Sequence, residues 1–243
     1  KKGIIPGIKV DTGAMPLAGF PGELVTEGLD GLRDRLEEYY QIGARFAKWR
    51  AVITIGNGIP SEACIDANAH GLARYASLSQ EAGLVPIVEP EVLIDGDHTI
   101  EVDQAITSKT LTRVYEMLDL YGVSLEGTLL KPNMVTSGSK CSNRAPATEV
   151  ASKTVETFQN SVPSAVPGIV FLSGGQPDDE ATLNMHAIAL SGQSNSAPWE
   201  LSYSFGRGLQ ALPLNTWLGK KENVPAAQKA FIQRCILTSA ARQ

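Results

Sequence analysis

The sequence contains few of the residues that bind transition metals or form disulfides. Its cysteines stand far apart and show no C-x-x-C spacing, at Cys64, Cys141 and Cys235. This pattern indicates neither a disulfide framework nor a thiolate metal site, and it fits a reducing compartment. The histidines form no H-x-x-x-H or H-E-x-x-H pattern, at His70, His98 and His186. We therefore expect no zinc-dependent mechanism and place the histidines in loops or on helix surfaces.

Long apolar runs and clusters of basic residues are also missing. No apolar run approaches the roughly 20 residues that a membrane helix needs. The opening stretch Lys1-Lys2-Gly3-Ile4-Ile5-Pro6 lacks the long apolar region of a signal peptide. The formal net charge is -5, and no run of Lys and Arg stands out. We therefore expect no membrane partner, and no nucleic-acid partner because phosphate neutralisation needs a basic face.

What is present is the composition of an ordinary globular protein. The chain has 243 residues, of which 43% are hydrophobic and 19% are charged. This length is enough for one large domain with its own core. No low-complexity linker divides the sequence, so we predict a single domain over residues 1–243.

Short apolar runs alternate with longer segments of helical spacing. The continuous apolar character of the runs is typical of buried parallel strands, at 4–10, 45–53, 84–91, 128–131, 168–173 and 201–207. Helices are predicted between and after them, at 29–42, 61–82, 99–121, 148–160, 177–190 and 226–241. Repeated βα units predict a parallel α/β sheet. Six strands are two fewer than a (β/α)₈ barrel has, so the fold is either an open doubly wound sheet or a barrel whose N-terminal part lies outside this sequence.

One predicted strand ends at a lysine. Leu129 and Leu130 run into Lys131, and Pro132 follows, which restricts the preceding residue to extended geometry. Ligands bind at the carboxyl ends of parallel strands. If apolar walls and other cations surround this amine, its pKa falls and the neutral form can attack a carbonyl group to form a Schiff base. The alternative is a solvated lysine at a strand edge.

Other charged residues are expected at the same edge of the sheet. Lys9 and Lys48 occupy positions in their strands that match that of Lys131, so the amines would converge and attract an anionic substrate. Glu89 and Glu91 alternate along another strand and point to one face. Either carboxyl could transfer protons at the amine, or the pair could serve only as counterions for Lys48 or Arg50.

Two glycine-containing turns follow the last two predicted strands. They are Ser173-Gly174-Gly175 and Ser204-Phe205-Gly206-Arg207. In parallel barrels these loops frequently bind phosphate through backbone N–H groups, and Arg207 adds a guanidinium. Since Asp178, Asp179 and Glu180 would repel an anion at their own helix start, we expect the phosphate at the segment after Arg207.

Taken together, these motifs resemble class I fructose-bisphosphate aldolase, the lysine-dependent family. The matching stretches run in family order across nearly the whole chain: 7–11, 16–19, 41–50, 85–91, 126–136, 171–176 and 219–223. The resemblance implies a TIM barrel that cleaves fructose 1,6-bisphosphate reversibly into dihydroxyacetone phosphate and glyceraldehyde 3-phosphate, in glycolysis, gluconeogenesis or the Calvin cycle. It implies no metal and no cofactor.

The resemblance also implies a role for each matching residue. Lys131 would form the Schiff base, and Glu89, with Glu91 close by, would act as acid and base for that adduct. Lys48 would hold substrate hydroxyls and assist C–C cleavage. The remaining residues would bind the two phosphates: Lys9 and Arg50 toward the second, and Ser173, Gly174, Gly175, Gly206 and Arg207 near the ketone.

This sequence departs from the family at both ends. It begins at the family's third strand, and the family's C-terminal tail is absent beyond Gln243. We therefore expect only the last six βα units of the barrel, and expect the chain to be part of a longer polypeptide. Alternatives are another Schiff-base sugar-phosphate lyase, such as a transaldolase-like protein, or a non-catalytic fragment with a scaffold role. The family resemblance further implies a homo-oligomer, dimeric or tetrameric, in the cytoplasm or the plastid stroma.

Overall fold

Parallel β-strands form the framework of the protein, which a computed structural model describes over residues 2–242. Its strands are Gly7–Lys9 (β1), Gly13–Pro16 (β2), Leu24–Glu27 (β3), Phe46–Ile53 (β4), Val85–Val92 (β5), Leu129–Leu130 (β6), Gly168–Phe171 (β7) and Glu200–Tyr203 (β8). Six of them build one parallel sheet in the order β1-β4-β5-β6-β7-β8. The other two, β2 and β3, form a separate antiparallel hairpin.

Helices follow the strands of the main sheet. They are Leu32–Gln41 (α1), Glu62–Glu81 (α2), Ile100–Leu120 (α3), Ala147–Ser161 (α4), Asp178–Ser194 (α5), Arg207–Trp217 (α6) and Val224–Ala240 (α7). The predicted start of α2 is confirmed, since the Ser61 hydroxyl accepts a hydrogen bond from the Cys64 amide at 3.1 Å. None of the helices within residues 2–242 combines the length and the apolar character that a membrane crossing requires.

The strand order distinguishes between the two predicted architectures. A doubly wound sheet reverses its strand order at a switch point, whereas here successive parallel strands lie side by side from β1 to β8. The sheet therefore confirms the predicted α/β fold with six βα units of a (β/α) barrel. Within the described residues β1 and β8 are its outer strands. The extent of the domain over residues 1–243 stays a prediction.

Three details of the predicted elements were wrong. The first strand is shorter than 4–10, because Ile4 and Ile5 are exposed rather than packed in the sheet. The last strand ends at Tyr203, and Arg207 is the first residue of α6 rather than part of a strand. The β2–β3 hairpin was not predicted, since its strands have four residues each and β2 contains both Gly13 and Pro16, which are turn residues in most sequences.

The core lies between the sheet and the helices and includes a pair of aromatic rings. Phe171 on β7 and Phe158 on α4 stack with ring centroids 5.6 Å apart, and Phe171 is fully buried. We expect Phe171→Ala to lower the free energy of unfolding by about 3–5 kcal/mol, through lost transfer energy and the cavity left behind. Leu120→Ala, at a position 71% exposed, is the control and should change it by less than about 0.5 kcal/mol. Urea denaturation measures the free energy of unfolding of both variants. Equal denaturation midpoints for the two variants would show that Phe171 does not stabilise the core as expected.

Candidate active site

Alternation along two neighbouring strands places the charged residues on one face. In β4 the buried Trp49 stacks on Tyr75 of α2, so Lys48 and Arg50 point to the opposite face. In β5 the residues Glu89 and Glu91 alternate in the same way, and the backbone of Glu89 is in register with that of Arg50. The two strands alone, without any loop, thereby bring two cations and two carboxylates together.

Glu89 lies between two amines. Its Oε2 atom is 2.6 Å from Nζ of Lys48, and its Oε1 atom is 3.1 Å from Nζ of Lys131. The Glu89 side chain is 3% exposed, so the carboxylate is removed from bulk water. One carboxyl group is therefore placed to exchange a proton with Lys131 and is also a counterion for Lys48.

Lys131 immediately follows β6. Its amide donates a hydrogen bond to the Val88 carbonyl at 2.7 Å, and the Pro132 carbonyl accepts one from the Leu172 amide at 3.1 Å. These bonds tie the residue to both neighbouring strands. The Lys131 side chain is 11% exposed, so it is not the solvated lysine at a strand edge that the sequence left as an alternative.

The surroundings of Lys131 favour its neutral form. Burial lowers the pKa of this amine below its ordinary value of 10.5; Glu89 opposes the shift, and the positive charge of Lys48 adds to it. Burial disfavours a charge because the protein interior solvates it poorly, and a nearby cation disfavours a second one. A larger fraction of this amine is thus unprotonated near neutral pH than for an exposed lysine.

Removing the amine of Lys48 should change the pKa of Lys131. In Lys48→Met the neighbouring positive charge is lost, so the pKa of Lys131 should rise and its reaction with acetic anhydride should begin at higher pH. The labelling rate of Lys131 against pH, followed by peptide mass spectrometry, measures this shift. Lys153→Met, on α4, is the control and should leave the profile unchanged. A lower midpoint in Lys48→Met would show that Lys48 does not repel charge at Lys131.

A second set of ion pairs lies beside the first. Arg50 contacts Glu91 through Nε and Oε2 at 2.5 Å. Lys9 contacts Oδ1 of Asp11 at 2.5 Å, and its side chain is 49% exposed. The other carboxylate oxygen of Asp11 accepts a hydrogen bond from the Arg50 amide at 3.1 Å. Asp11 therefore joins the end of β1 to β4, although no role had been predicted for it.

The turns after β7 and β8 approach each other. Gly174 and Gly175 have positive φ values of 58° and 84°, which residues with a Cβ rarely adopt. A Cβ at Gly175 would stand 3.4 Å from the Arg207 guanidinium, so this turn lies next to that side chain. Arg207 begins α6, and Gly206 precedes it. The first N–H groups of a helix are free to bind an anion.

These parts line an open cavity of about 420 Å³. It brings together most of the predicted site residues, namely Arg50, Glu89, Glu91, Lys131, Ser173, Gly174, Gly206 and Arg207. Three predicted site residues are not part of this lining: Lys48, which contacts Glu89, Gly175, which lies beside Arg207, and Lys9, whose side chain is 49% exposed. Leu172 and Ser204 also line the cavity and had not been singled out, although Ser204 belongs to one of the two turns noted in the sequence and Leu172 directly precedes the other. Within residues 2–242 no three His, Cys, Asp or Glu side chains are grouped so as to hold a metal ion.

The histidines lie in a loop or on helix surfaces, as predicted. His70 and His186 are exposed on helices, and His98 is in the loop between β5 and α3, where it is buried with Nε2 at 3.7 Å from Oδ2 of Asp103. The latter carboxyl belongs to a buried network in which the Asn133 side chain donates to Thr107 Oγ1 at 3.0 Å. Asn133 also accepts from the Val92 amide at 3.0 Å, which ties the segment after Lys131 to β5.

The chain is similar to known proteins over nearly its whole length. The family model "Fructose-bisphosphate aldolase class-I" matches residues 1–243. Cytosolic fructose-bisphosphate aldolase 6 of Arabidopsis thaliana is 55% identical over 239 residues, which are 98% of this chain and 66% of the relative. A probable class 1 fructose-bisphosphate aldolase of Xanthomonas campestris is 59% identical over 215 residues, covering 88% of this chain and 64% of the relative. The chain thus spans somewhat less than two thirds of the length of these relatives.

A solved structure has the same fold. The fructose-bisphosphate aldolase of Plasmodium falciparum, in a ternary crystal with TRAP and a small-molecule inhibitor, superposes with a TM-score of 0.94 at 51% sequence identity. The match covers 98% of this chain and 69% of that one. From the family model, the level of identity and the shared fold together, this chain belongs to the class I fructose-bisphosphate aldolase family.

Proposed function

We propose that this chain carries the Schiff-base site of a metal-independent aldolase that cleaves fructose 1,6-bisphosphate reversibly into dihydroxyacetone phosphate and glyceraldehyde 3-phosphate. The observation that carries the proposal is the environment of Lys131. This buried amine has a lowered pKa, lines the cavity, and has its Nζ atom 3.1 Å from the Glu89 carboxylate. A neutral amine in such a place attacks a ketone, and the resulting iminium ion accepts the electron pair released when a neighbouring C–C bond breaks.

The neighbours of Lys131 serve the proton transfers of this reaction. When the Lys131 amine adds to the ketone, the Glu89 carboxylate takes the proton that the nitrogen loses and passes it to the carbinolamine hydroxyl, which leaves as water; the same transfers run in reverse when the adduct is hydrolysed. Lys48, which shares Glu89 with Lys131, holds substrate hydroxyls and assists C–C cleavage. Glu91 is the close neighbour of this pair and orients Arg50 through their ion pair.

The two phosphates bind on opposite sides of the reacting ketone. Near the ketone, the phosphate accepts hydrogen bonds from the backbone at the two turns and from the Arg207 guanidinium, at a site made by Ser173, Gly174, Gly175, Gly206 and Arg207. The second phosphate lies toward Arg50 and Lys9. Each proposed phosphate site contains cationic side chains, and a nucleophilic amine lies on the cavity wall. This arrangement fits a substrate with two phosphates.

Cleavage of fructose 1,6-bisphosphate by the purified full polypeptide that contains this chain tests the proposal. We expect turnover without added metal and in the presence of a chelator, with both triose phosphates as products. A protein that instead acts only on substrates with one phosphate would be a transaldolase-like lyase. A protein that neither turns over nor traps a ketone on Lys131 would be a non-catalytic scaffold. Either result would overturn the proposal.

Removing the guanidinium near the ketone should weaken binding selectively. A hydrogen bond to a charged group contributes about 1.5–3 kcal/mol, so Arg207→Ala should raise the KM for the bisphosphate by about 10- to 100-fold. Binding of dihydroxyacetone, which has no phosphate, should not change. Arg113→Ala, in an exposed ion pair on α3, is the matched control. If Arg207→Ala weakened the binding of the bisphosphate and of dihydroxyacetone equally, Arg207 would not be the phosphate-binding residue.

Location and assembly are further proposals. We propose that the protein acts in the cytosol, as the names of two Arabidopsis relatives state for those proteins, with the plastid stroma as the alternative. We also propose a dimer or tetramer of identical chains. Fluorescence microscopy of a tagged protein tests the first proposal, and sedimentation equilibrium tests the second.

A further inference from the structure

Arg234 is a buried cation that contacts the starts of two helices. It lies on α7, and its side chain is 3% exposed. Toward α6, its Nε donates to the Gly208 carbonyl at 3.0 Å. Toward α5, one terminal nitrogen donates to the Asp178 carbonyl at 2.8 Å and to Thr182 Oγ1 at 2.7 Å. The guanidinium therefore bonds at the same time to the first turn of α5 and to that of α6.

The carboxylate beside Arg234 does not explain why the cation is buried there. Oδ1 of Asp179 is 3.1 Å from the guanidinium, but the Asp179 side chain is 96% exposed. Such an exposed partner contributes little, while burying a cation costs several kcal/mol unless its donors are satisfied. Of its five N–H donors, three are taken by two carbonyls and a hydroxyl, and a fourth is directed at Asp179. A lysine could not reproduce these contacts, because its ammonium lacks the planar arrangement of donors.

Both helix starts lie next to the proposed phosphate site. The turn that contains Ser173, Gly174 and Gly175 leads into α5, and α6 begins at Arg207. Gly208 packs directly on the first of these turns, since a Cβ there would stand 3.2 Å from Cβ of Ser173. A shift of Gly208 would thus move Arg207 relative to Ser173. Arg234 itself is not among the lining residues of the cavity.

We propose that Arg234 is a positioning residue that sets the spacing between the Ser173–Gly175 turn and the Gly206–Arg207 turn, and so sets the affinity for the phosphate next to the ketone. The inference rests on the proposed function, because it assigns that phosphate to these two turns. It concerns the sugar phosphate and not the ketone chemistry at Lys131. The two parts of the site can therefore be measured separately.

Trapping two ketones on Lys131 tests this role. In Arg234→Lys, the concentration of dihydroxyacetone phosphate that gives half-maximal borohydride trapping should rise by about 10- to 100-fold, as expected for a small misplacement of binding groups. The corresponding concentration of dihydroxyacetone, which lacks a phosphate, should not change. Both are measured well below the melting temperature of the variant. A residue that contributes only to stability would lower that temperature and leave both concentrations unchanged.

Arg144→Lys is the matched control. Arg144 also pairs with the first turn of α5, through Glu180, and it is partly exposed. If Arg234→Lys does not fold, Thr182→Val removes one contact and keeps the arginine, and it should give a smaller change in the same direction. Unchanged trapping of the phosphorylated ketone, or an equal change for both ketones, would overturn the role of Arg234. If the unmodified protein traps neither ketone, the proposed function fails first and the inference fails with it.

Discussion

Replacing Lys131 with methionine should abolish the covalent adduct with dihydroxyacetone phosphate and slow bisphosphate cleavage by at least about 10⁴-fold, as for the loss of other covalent nucleophiles. Methionine has a similar length and no amine, and it fills a buried site adaptably. Glu89 keeps its ion pair with Lys48 at 2.6 Å, so no buried carboxylate is left without a counterion. We therefore expect the variant to fold and to lack only the chemistry.

Borohydride reduction measures this effect directly. It converts the iminium into a stable amine, so the mass of the intact protein rises by one reduced ketone, and peptide mapping locates the label. Lys140→Met, at an exposed position, is the control and should label fully. A label on another side chain, or an adduct that persists in Lys131→Met, would remove Lys131 from the assigned role.

Replacing Glu89 with glutamine should slow formation of the adduct by about 10²- to 10⁴-fold, the usual contribution of a positioned acid or base. Glutamine keeps the shape of the side chain but cannot transfer the proton that the carbinolamine hydroxyl needs to leave as water. The amount of adduct at the end of a long reaction should stay the same, because Lys131 is still present. The rate, and not the extent, of trapping is therefore the quantity to measure.

The charge of Glu89 and its proton transfer should affect the rate of adduct formation in opposite directions. The negative charge of Glu89 raises the pKa of Lys131, so its removal lowers that pKa and increases the neutral fraction of the amine. If Glu89 acted only as a counterion, Glu89→Gln would speed the attack near neutral pH. A slower reaction therefore indicates proton transfer, and a faster one would contradict it. Glu116→Gln, on the exposed surface of α3, should leave the rate unchanged.

Much of the fold followed from local patterns in the sequence. Each of the six predicted runs overlaps a strand of the main sheet, and the predicted helix at 99–121 corresponds to α3 at Ile100–Leu120. These elements are long or strongly apolar, so periodicity is enough to identify them. The boundary at Arg207 was missed because the residues from Ser204 to Gly208 lack any helical pattern. The hairpin was missed because a pairing of four residues depends on its neighbours more than on its own composition.

The candidate site shows a similar division. Lys131, Glu89 and Glu91 could be singled out because a charged residue at the end of an apolar strand is costly unless it is paired or used. Asp11 directly follows the first predicted run and carried the same signal, but it was not singled out, and its contact with the Arg50 amide depends on β1 lying beside β4. Arg234 gave no such signal, because it stands on the closing helix and its partners at Asp178, Thr182 and Gly208 are distant in sequence.

By itself the sequence determined the strands of the main sheet and most of the helices, which faces of the strands carry charge, and which residue is able to act as a nucleophile. Only the tertiary structure decided that Glu89 lies between Lys48 and Lys131, that the pKa of Lys131 falls, and that one buried guanidinium connects two helix starts. The physical reason is that periodicity and residue type act over a few neighbouring positions. Distances between side chains and their removal from water depend on how segments far apart in the chain are packed together.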